Sequence, residues 1–278
     1  MKPSHHLEIK TLLAHLWNDY AAMTPQANHI QGLLRERGET FVNDHIALRT
    51  FNIAPINLSV LAAPFLDLGY VLTGEYHFPE KKLFAKSFSH PSGEFPRIFI
   101  SELLTEEFSE KLQTTVKEIV ARLPKNITGK QLLLVQSFWP KVTHETYREL
   151  QEESEYAAWL SAFGVRTNHF TVSANSLHTF GNLKSLNGFL ESNGYCLNGG
   201  LKKIQGSEEL FLEQSSTLAS EIPWEFANGV TLPIRSCYYE FALRYPVPGT
   251  WELYDGFVSQ SADRIFESTH SGDYQKAS

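Results

Sequence analysis

Two stretches of similar sequence, NDHIALR at residues 43–49 and TNHFTV at residues 167–172, set the fold of this chain. In each stretch a pair of polar residues precedes a histidine, and a short run of strand-forming residues comes after it. A Gly-Tyr pair comes 24 or 25 residues after each histidine, at residues 69–70 and 194–195. The matching order and offsets predict two copies of one structural unit.

The spacing of apolar residues outside these stretches predicts the rest of the fold. The order β-α-β-β-β is predicted for the first unit, and a degenerate copy of it for the second. The predicted segments are N-terminal helices (1–40), the first unit (41–103), a helical connection (104–164), the second unit (165–245) and a C-terminal segment (246–278). The sequence therefore predicts an α+β fold in a single catalytic domain over 1–278, with paired βαβββ units forming one curved mixed or antiparallel sheet.

Several element boundaries are also predicted from local pattern. Thr105 is expected to cap a helix over 105–123, and one helix is expected over roughly 144–163. In the second unit, strands are expected to begin at Tyr195 and to cover 209–213.

Composition and charge exclude several classes of function. The 278 residues carry a net charge of -7, and no block of five or six basic residues occurs, so nucleic acid is not expected as a partner. The two cysteines, Cys196 and Cys237, are far apart, which argues against a disulfide framework and favours a reducing, cytoplasmic location. No signal peptide and no membrane-spanning run are recognised.

Three side chains are candidate metal ligands. Alternate residues of a strand share one face, so His45 and Arg49 point the same way, as do Glu240 and Arg244 in the second unit. If the two units pack as a pair, His45 and His169 can meet at one centre and Glu240 can join them. Two imidazoles and one carboxylate form the facial triad of non-haem Fe(II) oxygenases, which leaves positions open for a 2-oxo acid and O2.

Arg49 is a candidate for binding an anionic group of the substrate. Four strand residues separate the Cα atoms of His45 and Arg49 by roughly 13 Å. A guanidinium binds a carboxylate through two parallel hydrogen bonds, so a metal at one end and Arg49 at the other would suit a short dicarboxylate.

Structural roles remain open for the same residues. Glu240 could be a charge at the sheet edge or barrel mouth, and Arg49 could balance Asp44 or Glu102. Glu102 is interpreted as the counterpart of Glu240 in the first unit, offset by a residue or two. It could be a fourth ligand, a partner that holds a histidine, or a solvated strand end.

Four stretches resemble one known family. They are NDHIALRTF (43–51), TNH (167–169), YEFA (239–242) and YDGFV (254–258), and they are similar to the 2-oxoadipate dioxygenase/decarboxylase family, also called hydroxyglutarate synthase. The family resembles the vicinal oxygen chelate superfamily in fold, which implies the same paired βαβββ units.

The resemblance implies a set of residue roles and a reaction. It implies Fe(II) bound by His45, His169 and Glu240, with Zn2+ or Ni2+ as common substitutes in such a site. It implies that Arg49 binds the distal carboxylate of the substrate and that Val258 and Ser259 contact the substrate. The implied reaction takes 2-oxoadipate and O2 to 2-hydroxyglutarate and CO2, in lysine catabolism.

Two other classes of function remain open on the sequence. One is a non-oxidative lyase or isomerase of the vicinal oxygen chelate type, which would use Zn2+, Ni2+ or Mn2+ and would want Glu102 as a fourth ligand. The other is a metal-free protein that binds a small ligand between the paired sheets. The oligomeric state is left open.

Overall fold

Eight strands of the chain form a single curled sheet in the computed structural model, which describes residues 3–258. The strands of this sheet are β1 (Asn43–Phe51), β2 (Val71–Phe78), β3 (Leu83–Ser89), β4 (Arg97–Leu103), β5 (Thr167–Ser173), β6 (Gln205–Ser207), β7 (Leu212–Ser216) and β10 (Tyr238–Arg244). A separate hairpin is formed by β8 (Glu221–Glu225) and β9 (Thr231–Arg235). The helices are α1 (Pro3–Met23), α2 (Pro25–Glu36), α3 (Leu58–Asp67), α4 (Glu110–Ala121), α5 (Gly129–Leu134), α6 (His144–Glu153), α7 (Glu155–Phe163) and α8 (Leu183–Ser192).

The sheet has the same strand arrangement on both sides of its centre. Strands β1 and β5 lie side by side and antiparallel in the middle. Reading outward, the first unit continues with β4, β3 and β2, and the second continues with β10, β7 and β6. The neighbour of each central strand is parallel to it, and the remaining pairs are antiparallel. The prediction of an α+β fold with paired βαβββ units is confirmed.

The repeated Gly-Tyr pairs end the crossover helix of each unit. Gly69 and Gly194 have φ angles of +96° and +88°, in the left-handed region that favours glycine. Tyr70 and Tyr195 then donate their backbone N–H groups to helix carbonyls five residues earlier, at 3.1 Å in both cases. This geometry is a Schellman ending, so the repeat seen in the sequence reflects one shared way of leaving a helix.

The two faces of the sheet have different roles. Helices α1 and α2 pack against β5 and β10. Trp17 and Tyr20 of α1 contact the ring of Phe170 with centroid distances of 5.1 and 5.0 Å. Phe170 lies next to His169 on β5, and neighbouring strand residues point to opposite faces. The helices therefore cover one face with apolar side chains, and the other face is left for the polar site.

The helical connection differs from the prediction at two boundaries. The predicted helix over 144–163 is broken at Ser154, which ends α6 and caps α7 by accepting the N–H of Ala157 at 3.1 Å. Thr105 does not cap α4. That helix begins at Glu110, because Ser109 accepts the N–H of Leu112 at 3.1 Å, and a short 3-10 turn occupies the residues before it.

The second unit departs from the predicted strands. Residues 195–197 contribute only one isolated bridge, from Leu197 to Thr217. Gly199 and Gly200 come next with φ angles of +94° and +54°, which turn the chain before a strand can extend. The strand expected over 209–213 begins with a 3-10 turn and becomes β7 from Leu212 onward. Among the described residues no helix is long and apolar enough to cross a membrane.

Candidate metal centre

A β-bulge precedes each of the two histidines in the central strand pair. Residues 43 and 45 of β1 pair with adjacent residues of β5, which leaves Asp44 as an extra residue. Residues 47 and 48 of β1 likewise pair with residues 169 and 167 of β5, which leaves Asn168 as an extra residue. A bulge redirects the side chain at the extra position. This explains how neighbours along a strand can contact each other.

The bulged residues orient the two imidazole rings. Asp44 Oδ1 lies 2.8 Å from His45 Nδ1, and Asn168 Oδ1 lies 3.2 Å from His169 Nδ1. In both rings the Nδ1–H donates to an oxygen, so Nε2 carries the lone pair that a metal requires. The polar residue before each histidine thus has a direct role in the geometry of the site.

Glu240 completes a buried group of three possible ligands. Its Oε1 lies 3.4 Å from His45 Nε2, and its Oε2 lies 3.3 Å from His169 Nε2. One ligand atom from each residue lies within 4.8 Å of the others. The exposed fractions of His45, His169 and Glu240 are 2%, 5% and 0%. Glu240 arrives here because β10 pairs in parallel with β5 and sets it opposite Thr171.

The donor set fits a divalent metal ion. Bonds of about 2.0–2.2 Å place the ligand atoms of one ion up to roughly 4.4 Å apart, so small side-chain shifts would bring all three into range. Glu240 Oε2 is buried and accepts no hydrogen bond from the described residues. A buried carboxylate oxygen of this kind is costly unless it is paired or bound to a metal. His45, His169 and Glu240 can therefore bind a metal.

The electrostatics of the metal-free site suit such an ion. Burial lowers the pKa of His45, and burial with the nearby His45 ring lowers the pKa of His169 well below its ordinary value. Burial raises the pKa of Glu240 to about 8, although a hydrogen bond from Gln214 Nε2 at 2.6 Å acts in the other direction. Both imidazoles are neutral at pH 7, as ligation requires, while Glu240 holds a proton that a cation would displace.

Arg49 lies on the same side of the sheet and is almost completely buried. Its guanidinium carbon lies 4.9 Å from the centre of the Tyr156 ring and 5.2 Å from that of Trp159, both on α7. Its charge acts on the pKa of His169 and of Tyr238, which places it near both. Arg49 and Tyr156 also line a cavity of about 280 Å³. The aromatic rings fix the guanidinium in position.

The C-terminal segment reaches this site. The ring of Phe257 meets the ring of His45 edge-on, with centroids 4.8 Å apart, and packs on Phe99 at the same distance. Val258 comes directly after it and is half-buried. Ser259 lies outside the described residues. The predicted contact of Val258 and Ser259 with a substrate remains a prediction.

Comparison with known proteins identifies the family. A sequence model described as 2-oxoadipate dioxygenase/decarboxylase matches residues 8–250, most of the chain. The chain belongs to the 2-oxoadipate dioxygenase/decarboxylase family. It is 36% identical to the chloroplastic 2-oxoadipate dioxygenase/decarboxylase of Arabidopsis thaliana, over 94% of this chain and 77% of that protein.

Solved structures extend the comparison to the fold. The crystal structure of hydroxyglutarate synthase from Oryza sativa in complex with 2-oxoadipate is 33% identical, with a TM-score of 0.91 over 98% of this chain and 95% of that one. A glyoxalase superfamily protein from Ralstonia eutropha JMP134 has a TM-score of 0.74 at 20% identity, over 88% of this chain and 84% of that one. The second likeness concerns the fold alone and agrees with the vicinal oxygen chelate type.

In this member of the 2-oxoadipate dioxygenase/decarboxylase family, Glu102 is not the counterpart of Glu240. His169 pairs with residue 238 of β10 and His45 pairs with residue 97 of β4, so the residue matching Glu240 is Phe99. Glu102 lies three positions further on and points to the other face. Its Oε2 accepts the N–H of Leu58 at 2.8 Å, at the first residue of α3. The interpretation of Glu102 as a pseudo-symmetric partner is wrong.

The alternative partners proposed for Arg49 have other contacts. Asp44 accepts two hydrogen bonds from Arg244, at 2.7 and 2.8 Å, and Glu102 binds the start of α3. The sequence reasoning missed Arg244, although it placed that residue on the face of Glu240. It also missed the role of Asp44, for which the polar residue before the histidine was the available sign.

Proposed function

We propose that the protein is an Fe(II)-dependent dioxygenase/decarboxylase that converts 2-oxoadipate, or a similar 2-oxo dicarboxylate, and O2 to 2-hydroxyglutarate and CO2. The observation that carries the proposal is the convergence of His45, His169 and Glu240, in a chain of this family. Two imidazoles and one carboxylate on one side of an ion are the ligand set of non-haem iron oxygenases. An iron bound there would supply an electron source and vacant coordination positions for the 2-oxo acid and O2.

The residues around the triad would hold and orient the substrate. The 2-oxo acid end belongs at the metal ligands, and the distal carboxylate belongs at Arg49. A carboxylate in this buried place gains two charge-assisted hydrogen bonds from the fixed guanidinium. Holding both ends decides which carbon lies beside the metal, which is how a site contributes through orientation. Val258 and Ser259 are proposed to contact the substrate from the C-terminal side.

The site also restricts the access of water to the reacting atoms. Phe257 and Phe99 pack against each other beside His45, and both are buried. Exclusion of water strengthens electrostatic contacts and protects reactive species from side reactions.

The non-oxidative lyase or isomerase is the second candidate. It would need a fourth protein ligand, and the register places Phe99 at the position that corresponds to Glu240. A metal-free binding protein would have to retain the buried Glu240 with one oxygen that accepts no hydrogen bond from the described residues. Both observations favour the three-ligand dioxygenase.

Oxygen consumption tests the proposed reaction directly. Protein loaded anaerobically with Fe(II) should consume O2 only when 2-oxoadipate is added, and should release one CO2 for each O2. No second 2-oxo acid is required, because the substrate itself is both decarboxylated and hydroxylated. The Zn2+-loaded protein and the Glu240→Gln variant are the controls and should consume none. Turnover of 2-oxoadipate in the absence of O2 would reject the proposal.

Two further features are proposed on the same basis. Residues 1–278 are proposed to form a single catalytic domain around this one site. The two cysteines, Cys196 and Cys237, are both free thiols, which supports a reducing compartment such as the cytoplasm. Two plant relatives are named as plastid proteins, a compartment different from the one proposed here.

A further inference from the structure

Arg244 is a buried arginine that connects two distant parts of the chain. It is 2% exposed. Its Nε and Nη2 donate to the two carboxylate oxygens of Asp44, at 2.7 and 2.8 Å. Its Nη1 donates to the backbone carbonyls of Tyr254 and Gly256, at 2.7 and 2.8 Å. One guanidinium thus joins β1 to the C-terminal segment through four hydrogen bonds.

Only one carboxylate separates Arg244 from a proposed metal ligand. Asp44 Oδ1 accepts from Arg244 and from His45 Nδ1, both at 2.8 Å. The two-bond contact with Arg244 fixes the plane of the Asp44 carboxylate. The carboxylate in turn fixes the rotation of the imidazole ring, so Nε2 points at the shared centre.

The same guanidinium also contacts the C-terminal segment that packs against His45. Phe257 directly succeeds Gly256, and its ring meets the His45 ring edge-on at 4.8 Å. The guanidinium carbon of Arg244 lies 5.3 Å from the centre of the Phe257 ring. Residues 254–257 are therefore anchored by the side chain that orients His45.

The two halves of the site differ in this respect. His169 is oriented by the neutral Asn168, whereas His45 is oriented by a carboxylate in an ion pair. Arg97 approaches the same carboxylate at 3.5 Å and pairs with Asp255 of the C-terminal segment. The side chain of Arg97 is 21% exposed, so its contact is weaker than that of Arg244.

We propose that Arg244 is a positioning residue of the metal centre, which fixes His45 through Asp44 and holds residues 254–257 over the site. The inference rests on the proposed metal site. It goes beyond the ligand set, because it makes metal binding and closure of the C-terminal segment depend on one side chain. Loss of an outer partner of a metal-bound histidine typically costs 10–100-fold in metal affinity.

Two substitutions separate the two roles of Arg244. Arg244→Met should lower the affinity for Co2+, measured by its visible absorption, by about 10–100-fold. It should also speed chymotrypsin cleavage after Tyr254 and Phe257, located by mass spectrometry. Arg244→Lys keeps a positive charge near Asp44, but one ammonium cannot make all four hydrogen bonds. It should retain more Co2+ affinity than Arg244→Met while the segment is still cleaved faster than in the unsubstituted protein.

A matched control removes an arginine elsewhere. Arg235→Met deletes a side chain of 18% exposure that pairs with Glu221 in the β8–β9 hairpin, so Co2+ affinity and cleavage should stay within about two-fold of the unsubstituted protein. If Arg244→Met does not fold, Arg244→Lys and Asp44→Asn supply the same measurements. Unchanged Co2+ affinity in the Arg244 variants, or unchanged cleavage, overturns the inference. Failure of the unsubstituted protein to bind Co2+ would instead reject the proposed function.

Discussion

At the scale of single residues, the site is defined by which charges are compensated and which are left for a ligand. Burial alone would raise the pKa of Asp44. The charge of Arg244 and the hydrogen bonds from Arg244 and His45 outweigh burial, so the pKa of Asp44 is well below its usual range. The triad then contributes the single negative charge of Glu240 once a cation binds. A divalent ion would leave the centre with a net positive charge beside Arg49. A dianionic substrate fits this distribution.

Substitution of Arg49 tests its role at the distal carboxylate. Arg49→Met should raise KM for 2-oxoadipate by about 10–100-fold, the effect of losing a charge-assisted pair worth about 1.5–3 kcal/mol, with metal content unchanged. Steady-state kinetics and metal analysis provide the measurements. 2-Oxohexanoate, which lacks the distal carboxylate, should be used equally by both proteins. Loss of the metal from Arg49→Met would show that the residue is structural.

The hydroxyl of Tyr238 provides a second test at this scale. The ring stacks on His169 at 4.6 Å, and the buried hydroxyl lies beside the guanidinium of Arg49. Burial raises the pKa of Tyr238 well above its ordinary value, so the group is a neutral donor. Tyr238→Phe should raise KM several-fold, because the hydroxyl lies beside the guanidinium that is proposed to bind the distal carboxylate. An unchanged KM would mean that the hydroxyl does not contact the substrate.

At the scale of elements, the two units share a helix ending and differ in the segment after it. In the first unit Gly69-Tyr70 leads directly into β2. In the second unit Gly194-Tyr195 leads into a glycine-rich turn, and the matching strand β6 is only three residues long. The helix ending is determined by a few neighbouring residues and is present in both units. The length of the strand that comes after it depends on residues further along the chain.

Two glycines of the α8 region should respond in opposite ways to alanine. Gly194 has φ +88°, so Gly194→Ala should destabilise the fold by about 1 kcal/mol, although nothing lies within 4 Å of the added carbon. Gly188 is exposed inside α8, also with nothing within 4 Å, so Gly188→Ala should stabilise by about 0.5–1 kcal/mol. Urea unfolding measures both free energies. Equal effects of the two substitutions would contradict the assigned backbone geometry.

At the scale of the whole molecule, the buried carboxyl makes the stability of the metal-free protein depend on pH. The pKa of Glu240 is about 8 in the fold and near 4.5 when unfolded. Between these values the unfolded chain has lost a proton that the fold keeps, so this contribution to stability is lost as pH rises. His45 and His169 act in the opposite direction, but only below about pH 6.5, where the unfolded imidazoles take up protons.

The window above pH 6.5 therefore isolates Glu240. From pH 7 to pH 8 the free energy of unfolding of metal-free protein should fall by about 1 kcal/mol, because the slope for one proton is about 1.4 kcal/mol per pH unit. Chemical denaturation in the presence of a chelator measures this change. The Glu240→Gln variant should show a flatter dependence, and metal loading should remove the fall. A stability that rises over this window would contradict the buried, protonated carboxyl.

Local sequence patterns were enough to predict the repeated unit, the equivalence of the two histidines and the strand face on which Glu240 lies. Strand periodicity assigns faces, and the Gly-Tyr pairs mark equivalent helix ends. Neither rule requires knowledge of which strands become neighbours. The paired units and the three candidate ligands were therefore accessible before any coordinates.

The register between strands, and the partners that cross it, depended on tertiary packing. The register of β4 on β1 puts Phe99 at the position that corresponds to Glu240 in the second unit. It leaves Glu102 to accept the N–H of Leu58 at the start of α3. Asp44 lies in a bulge of β1, and its ion pair with Arg244 joins residues that are 200 positions apart in the sequence. Such choices depend on the packing of distant segments, because a shift of one residue reverses every face of a strand. That is why the candidate ligands could be predicted from the sequence, whereas the side chains that orient them could not.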